Sequence, residues 1–418
     1  MKELGPDYIY QIEGHGSLDI KFNECQARLN ILEGERLFEG MLIDRPYKDG
    51  PFITSRICGV CPTVHYLTAV CAIENAFKIK VTPETEYLRK VLLAGQIMQS
   101  HTLHLFFLSL PDYLGLDSAL EISKKNPAVF QIALSLKKFS DGLVEKIGGR
   151  AVHPITPQIS GFDKVPTKSD LNSILSEAEV SIDKAKDTVK LFAKLDYPDL
   201  NHNIEYLASG NKKEYQIYNT SKIISSKNNS FKATDYDKYI TEVIKDYSTA
   251  KFSTKDKKGF MTGALARLNI NQKYLNPKTK QLIKELNIKF PSNNPFYNNL
   301  AQAVEILHFT ESIIILLNKL LSADLEKAKV FDYEIREGYG VGTCEAPRGT
   351  LYHAYQVGKN GLISKCDIIT PTSQNLTSIE EAANLLLENT KKHDQKKRQQ
   401  LLEMLIRAYD PCITCSVH

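Results

Sequence analysis

Two Cys-x-x-Cys pairs, Cys58/Cys61 towards one end and Cys412/Cys415 at the other, constrain this 418-residue chain more than any other feature. Four thiolates suit zinc, an iron–sulfur cluster or another soft metal centre. A structural zinc ribbon places its pairs about 15 to 20 residues apart, whereas here almost the whole chain intervenes. Two independent redox dithiols would each call for a thioredoxin-like strand pattern nearby, and neither pair has one. One shared metal requires the first and last parts of the chain to meet in the interior. That favours a single domain over residues 1–418, against the three beads of roughly 150 residues that length alone suggests.

Composition narrows the class. With 42% apolar and 24% charged residues the chain is an ordinary globular one, with enough apolar residues for a large core. The longest aliphatic run, Ile313 to Leu317, falls far short of the roughly 20 apolar residues of a membrane span. No charged-then-apolar secretory pattern follows Met1, and the eight cysteines are too few for a disulfide scaffold. We therefore expect a cytoplasmic chain that does not span a membrane. A balance of 53 basic against 49 acidic residues, with the lysines dispersed, argues against nucleic acid as a partner. Cys25, Cys71, Cys344 and Cys366 read as small buried hydrophobes.

Helical periodicity predicts the core. Thr82-Pro83-Glu84 supplies a capping hydroxyl, a first-turn proline and an acid for a helix running past Leu110. Asn126-Pro127 opens a second that stops at Gly148-Gly149, and a third spans about residues 169–195 with an apolar stripe from Leu171 to Phe192. A fourth, about 296–321, is apolar enough through Ile313–Leu317 to lie deep inside, and a fifth spans about 378–408. Residues 209–258, rich in Lys, Asn, Ser and Tyr, read as a peripheral insertion of strands and loops, including the alternating Tyr215-Gln216-Ile217-Tyr218. Alternation over about 8–32 and 335–367 predicts the other strands. The fold class is mainly α with small peripheral β-sheets, that is, α+β.

The residues around the pairs are more specific than the spacing. Arg56-Ile57-Cys58-Gly59-Val60-Cys61-Pro62-Thr63-Val64-His65 and Asp410-Pro411-Cys412-Ile413-Thr414-Cys415-Ser416-Val417-His418 resemble the two signatures of nickel-iron hydrogenase large subunits. The resemblance extends through Ile12-Glu13-Gly14-His15, Gly148-Gly149-Arg150, Asn294-Pro295-Phe296, Glu345-Ala346-Pro347-Arg348-Gly349 and Thr370-Pro371-Thr372. The Cys-Ser-Val-His ending is most similar to the cytoplasmic, multi-subunit, reversible type related to sulfhydrogenases. The resemblance implies a long-helix core and reversible cleavage of dihydrogen at a nickel-iron centre whose iron carries carbon monoxide and cyanide.

Carried over by position, the resemblance makes Cys58 and Cys412 terminal nickel ligands, and Cys61 and Cys415 bridges to iron. Glu13 becomes the carboxylate that takes a proton from Cys412. Arg348 becomes the guanidinium over the open metal position, bonded to a cyanide and held by Asp410 and Asp112. Pro371 and Thr372 would contact the other cyanide, and His65 would donate to a bridging sulfur. Glu39, the carbonyl of Ile368 and His418 would hold a magnesium or iron ion beside the main site. Gln11 stands where the family commonly has arginine, which alters an ion pair near Glu13. A chain ending at His418 resembles the family's mature form, from which a maturation endopeptidase has removed a tail.

Bland readings stand beside these. Glu13 alone would be a surface residue or a salt bridge, Arg348 a structural ion pair, His65 a satisfied helical histidine and Asp410 a turn residue before Pro411. His101 and His104, three apart on one helix, read as core rather than a metal pair. Gly338, Gly340 and Gly342 mimic a nucleotide loop, but no phosphate-binding helix follows, so they read as strand-turn glycines and not as a nicotinamide site. With all four paired cysteines on nickel, no thiolate cluster remains for an iron–sulfur centre. The resemblance accordingly implies an iron–sulfur small subunit as electron partner, with further flavin or iron–sulfur subunits that use NAD(P) or ferredoxin. The alternatives are a hydrogen sensor or a subunit of a proton-translocating complex with the same fold, and a four-cysteine zinc protein.

Overall fold

A computed structural model of the chain describes residues 7–211 and 213–418. Four long helices pack in a ring. Pro127–Gly148 lies against Pro83–Leu103, which meets Asn298–Leu321, which meets Lys168–Phe192, and the last returns to the first. Each start has a local cause. The Thr82 hydroxyl accepts from Thr85 N at 3.2 Å and Asn126 Oδ1 from Val129 N at 3.4 Å, while Thr167 and Asp170 form a reciprocal capping box. Two stretches, Pro83–Leu114 and Pro295–Leu321, are long and apolar enough to cross a membrane, but 83% and 78% of their apolar windows are buried in the protein.

The first helix does not run straight past Leu110 as expected. A π-helical turn occupies His104–Ser109 before Leu110–Leu114 resumes. Pro111 has no N–H to donate to the carbonyl four residues back, so the ladder is broken at that end. The helix Asn298–Leu321 is buried along its first half rather than through its aliphatic run, and Ile315 is 43% exposed. The expected fifth helix is two, Pro371–Asn389 and Gln395–Tyr409, because Asp394 leaves the helical region and caps Lys397 N at 2.7 Å.

A further helix, Pro62–Phe77, almost wholly buried, lies against the antiparallel sheet of Gly338–Ala346, Gly349–Val357 and Ile363–Ile369. Gly338, Gly340 and Gly342 are therefore strand residues, not turn residues. They share one face of the strand, and a Cβ there would stand 2.4, 2.1 and 2.1 Å from the carbonyl oxygens of Ala76, Ala72 and Thr68. Only bare backbone lets strand and helix touch along three successive turns. That contact fixes the helix whose first residues follow Cys61.

Between Ser209 and Lys258 the chain forms short strands, among them Lys222–Ser225, Thr241–Lys245 and Ser248–Thr254. Tyr215, Gln216, Ile217 and Tyr218, expected at the periphery, are instead buried and irregular. Their phenols close two interior ion clusters. Arg89 makes a two-pronged pair with Glu74 at 2.8 Å each and donates to Tyr218 Oη at 2.7 Å. Arg267 pairs with Glu305 at 2.6 and 2.7 Å, and Tyr215 donates to the same carboxylate at 2.6 Å. A buried charge left alone is severely destabilising, so these tyrosines are anchored by the core they complete.

Replacing Gly342 with alanine should destabilise the fold by about 3 kcal/mol or prevent assembly, because a methyl group cannot share space with Thr68 carbonyl oxygen. Gly40→Ala, with nothing within 4 Å of the added carbon, should leave the thermal midpoint unchanged, and thermal unfolding of both variants reads the difference.

Candidate metal centre

The chain ends converge through backbone bonds before any side chain is counted. Glu13 and Cys412 form an isolated parallel bridge, with Ile413 N donating to Glu13 O at 3.0 Å, and Arg36 N donates to Val417 O at 3.0 Å. The Arg36 guanidinium then ties the two cysteine segments together, donating to Ile57 O at 2.6 Å and to Thr414 O. Cys58 follows the short 3-10 turn Ser55–Ile57 in extended conformation. Cys61 is the cap residue of Pro62–Phe77. Cys412 and Cys415 flank the start of a one-turn helix, Ile413–Ser416, and Cys412 N donates to Thr372 Oγ1 at 3.0 Å.

The four sulfurs lie within 4.8 Å of one another, all buried. Cys58 and Cys412, Cys61 and Cys415, and Cys412 and Cys415 are 3.2, 3.2 and 3.1 Å apart. Among the described residues no other group of three or more Cys, His, Asp or Glu side chains gathers this way. The Cys412 thiol and its neighbours donate to Cys58 and hold its pKa well below the usual thiol value, while burial pushes Cys412 and Cys415 up. A metal with sulfur bonds of about 2.3 Å fits within such a nest.

Arg348 lies near the nest, where the cysteine sulfurs act on its charge. The guanidinium is 5% exposed. It donates to Asp410 O at 2.6 Å, Asp410 Oδ1 at 2.7 Å and Ser100 Oγ at 3.2 Å. Three of its five N–H groups are thereby used, and the remainder suit small acceptors at a metal. Burial works against its charge, but Asp410 and the cysteine sulfurs more than compensate and raise its pKa. Asp410 reaches it because the helix Gln395–Tyr409 ends there in a left-handed residue, φ 54°, which a following proline forbids from continuing. Its other oxygen accepts from Gln302 at 2.9 Å. Asp410 is thus both turn residue and partner to Arg348.

Asp112 is not. Its two oxygens are taken by the Arg407 fork at 2.6 and 2.8 Å, and Arg407 also donates to Tyr10 O at 2.9 Å. Arg407 lies in the last turn of the helix that ends at Asp410. Gln11 reaches Asp117 O at 2.8 Å and takes part in no ion pair. The Glu13 carboxylate accepts from Thr414 N at 3.1 Å; burial, followed by the Cys58 charge, raises its pKa.

The remaining expected residues gather as follows. His65 Nε2 is 3.8 Å from Cys415 Sγ, and its Nδ1 meets His353 Nε2 at 3.1 Å, with Tyr355 Oη 2.6 Å from the far side of His353. Burial holds His65 neutral, its pKa lowered to about 3. Pro371 opens the helix that carries Thr372. Ile368 N donates to Glu39 Oε1 at 2.7 Å, and His418 Nε2 is 2.7 Å from Ile368 O. Glu39, Ile368 and His418 therefore meet at one place, where Lys251 also approaches Glu39 at 3.7 Å. His101 and His104 are held by protein, at 2.8 Å from Glu305 and 2.6 Å from Gln302, consistent with core residues. Arg36, Glu33, Ser100, Gln302, His353 and Arg267 carry no local sequence pattern and emerge only from the three-dimensional contacts.

Comparison with known proteins agrees with this geometry. The family described as nickel-dependent hydrogenase matches residues 36–150 and 189–418. Sulfhydrogenase 1 subunit alpha of Pyrococcus furiosus is 38% identical over 417 residues, covering 99% of this chain and 97% of that one. Sulfhydrogenase 2 subunit alpha of the same organism is 33% identical, with 99% and 98% covered. A crystal structure of an NAD+-reducing [NiFe]-hydrogenase in the H2-reduced state superposes with a TM-score of 0.87 at 25% identity, over 99% of this chain and 98% of that one. With the buried tetrathiolate nest and these matches over nearly its whole length, the chain belongs to the nickel-dependent hydrogenases, as a large subunit.

Proposed function

We propose that this chain cleaves dihydrogen heterolytically and reversibly at a nickel-iron centre, and that electrons leave through a separate iron–sulfur subunit. The observation that carries the reading is a buried tetrathiolate nest faced on one side by a fixed guanidinium, Arg348, and on another by a carboxylate, Glu13. Cys58, Cys61, Cys412 and Cys415 would hold nickel, with Cys61 and Cys415 shared by an iron bearing carbon monoxide and cyanide. When bound, this centre supplies the Lewis acidity and the accessible oxidation states that polarise dihydrogen and accept its electrons.

The protein supplies the rest. Glu13 accepts a proton from Cys412 Sγ, and burial, which raises its pKa, makes it a better base for that transfer than an exposed carboxylate. Arg348, unable to lose its proton, orients ligands at the open side while Asp410 and Ser100 fix its plane. Pro371 and Thr372 would contact the second cyanide, and His65, held by His353, would donate to Cys415. Glu39, Ile368 O and His418 are proposed to take magnesium or iron, since their carboxylate, carbonyl and imidazole suit a hard cation. Asp112 acts at one remove, holding Arg407 and with it the Tyr10 backbone. Cys25, Cys71, Cys344 and Cys366 do not gather into a cluster site, which supports electron exit through a partner subunit, with flavin subunits serving NAD(P) or with ferredoxin beyond it.

Metal analysis with infrared spectroscopy of the purified complex tests the reading. One nickel and one iron per chain, with carbon monoxide and cyanide bands that shift under dihydrogen, are expected; zinc with no such bands would overturn it. Glu13→Gln should keep nickel and the infrared bands but lower turnover by about 10²-fold or more, as removal of a general base does. Arg348→Lys, which loses the planar fork, should retain nickel and lower turnover by about 10²-fold, with the cyanide bands displaced; an unchanged spectrum would place Arg348 away from the ligands.

A further inference from the structure

We propose that Arg267 is a positioning residue for Arg348: its guanidinium sets the backbone of the turn from which the Arg348 side chain reaches the nest. The inference rests on the role given to Arg348 above. The strands Gly338–Ala346 and Gly349–Val357 pair as far as Ala346 opposite Gly349, so Pro347 and Arg348 alone form the tip of the hairpin. Carbonyls at such a tip lie outside the strand ladder and must find another partner when they are buried. Both tip residues are buried here, and the partner that Pro347 finds is a side chain from another helix.

That side chain is used to the full. Arg267 Nε donates to Glu305 Oε1 at 2.6 Å, Nη2 to Glu305 Oε2 at 2.7 Å and to Pro347 O at 3.0 Å, and Nη1 to Glu345 Oε2 at 2.9 Å and to Ala346 O at 2.8 Å. All five N–H groups of the guanidinium are thereby engaged. The two carboxylates fix the plane of the fork, and the carbonyls of the two residues before Arg348 take their place from that plane. Charge balance alone would be complete with Glu305 and Glu345 and would not call for donors on Ala346 and Pro347.

The helix that carries Arg267 is seated on the same turn. Gly263 opens Ala264–Asn271 with φ +118°, a Cβ there would stand 3.0 Å from Arg348 O, and Arg267 N donates to Gly263 O at 2.9 Å. Helix start, guanidinium and hairpin tip thus move as one body. A lysine at 267 would keep the positive charge between the carboxylates, but with three donors and no fixed plane it cannot serve both carboxylates and both carbonyls.

The test uses the whole complex carrying Arg267→Lys. Expected are retained nickel and iron, cyanide bands displaced in the direction in which Arg348→Lys displaces them, and turnover lowered about tenfold or more with KM for dihydrogen unchanged. A residue that acts through another adds little to its loss, so in the Arg348→Lys background the same substitution should lower turnover by less than about twofold. Losses that multiply, or cyanide bands that stay in place, would overturn the proposal. Tyr215→Phe is the control: it removes one bond from Glu305 and leaves all five from Arg267, so its bands should match the parent. Equal displacement in that variant would reduce Arg267 to general support of the core and sink the proposal. Should Arg267→Lys fail to assemble, Glu305→Gln takes its place on the same two readings, because the Glu305 bonds reach the turn only through Arg267. Arg348→Lys alone separates the two levels. Parent-like bands and turnover there refute the role of Arg348, whereas a loss there beside parent-like bands in Arg267→Lys refutes only the positioning.

Discussion

Everything in this structure depends on bringing Cys58 and Cys61 against Cys412 and Cys415. Closing so long a loop costs roughly 5 kcal/mol in chain entropy, a modest sum that a few well-made contacts offset. The contacts are made by polar groups rather than by packing alone. The bridge of Glu13 to Cys412 and Ile413, the bond from Arg36 N to Val417 O, and the Arg36 guanidinium on both cysteine segments draw the ends together from the outside. Thr372 holds Cys412 N from within. Because these bonds involve backbone atoms, the sulfurs are positioned by the fold itself.

The same economy places Arg348. Its guanidinium is aimed by Asp410, but its backbone is aimed by Arg267, which donates to Ala346 O and Pro347 O at 2.8 and 3.0 Å and to Glu345 at 2.9 Å. Arg267 is wholly buried and in turn balanced by Glu305, with His101 and Tyr215 completing that carboxylate. A buried ionic cluster is weak evidence of net stability, since desolvation consumes much of the attraction. Its value is directional. The short turn between the strands Gly338–Ala346 and Gly349–Val357 has its carbonyls fixed one residue from the side chain that faces the nest.

The parts legible in the sequence were those whose cause is local. Thr82, Asn126 and Thr167 announce helix starts because a cap acts on the next three residues, and the cysteine pairs announce themselves by spacing. Asp112 could not be paired from sequence, because Arg348 and Arg407 both lie far along the chain and only the packed helix ends decide between them. Tyr215–Tyr218 alternates like an edge strand, yet its hydroxyls are required by charges at Arg89 and Glu305 that a local pattern cannot reveal. The glycines at 338, 340 and 342 were misread for a similar reason, since their neighbour is a helix more than 260 residues earlier.

The two sides of the nest are chemically unequal. On one side Arg348, Asp410, Gln302 and Ser100 form a closed set of bonds at 2.6 to 3.2 Å, all buried. A guanidinium there cannot release a proton, and Asp410 is occupied by Arg348 and Gln302. On the other side Glu13 faces Thr414 and Glu33 and then His15, where the protein opens to water. The short Glu-Gly-His sequence places three things at once: a carboxylate beside the nest, a bend that admits a second carboxylate at Glu33, and an imidazole at the surface.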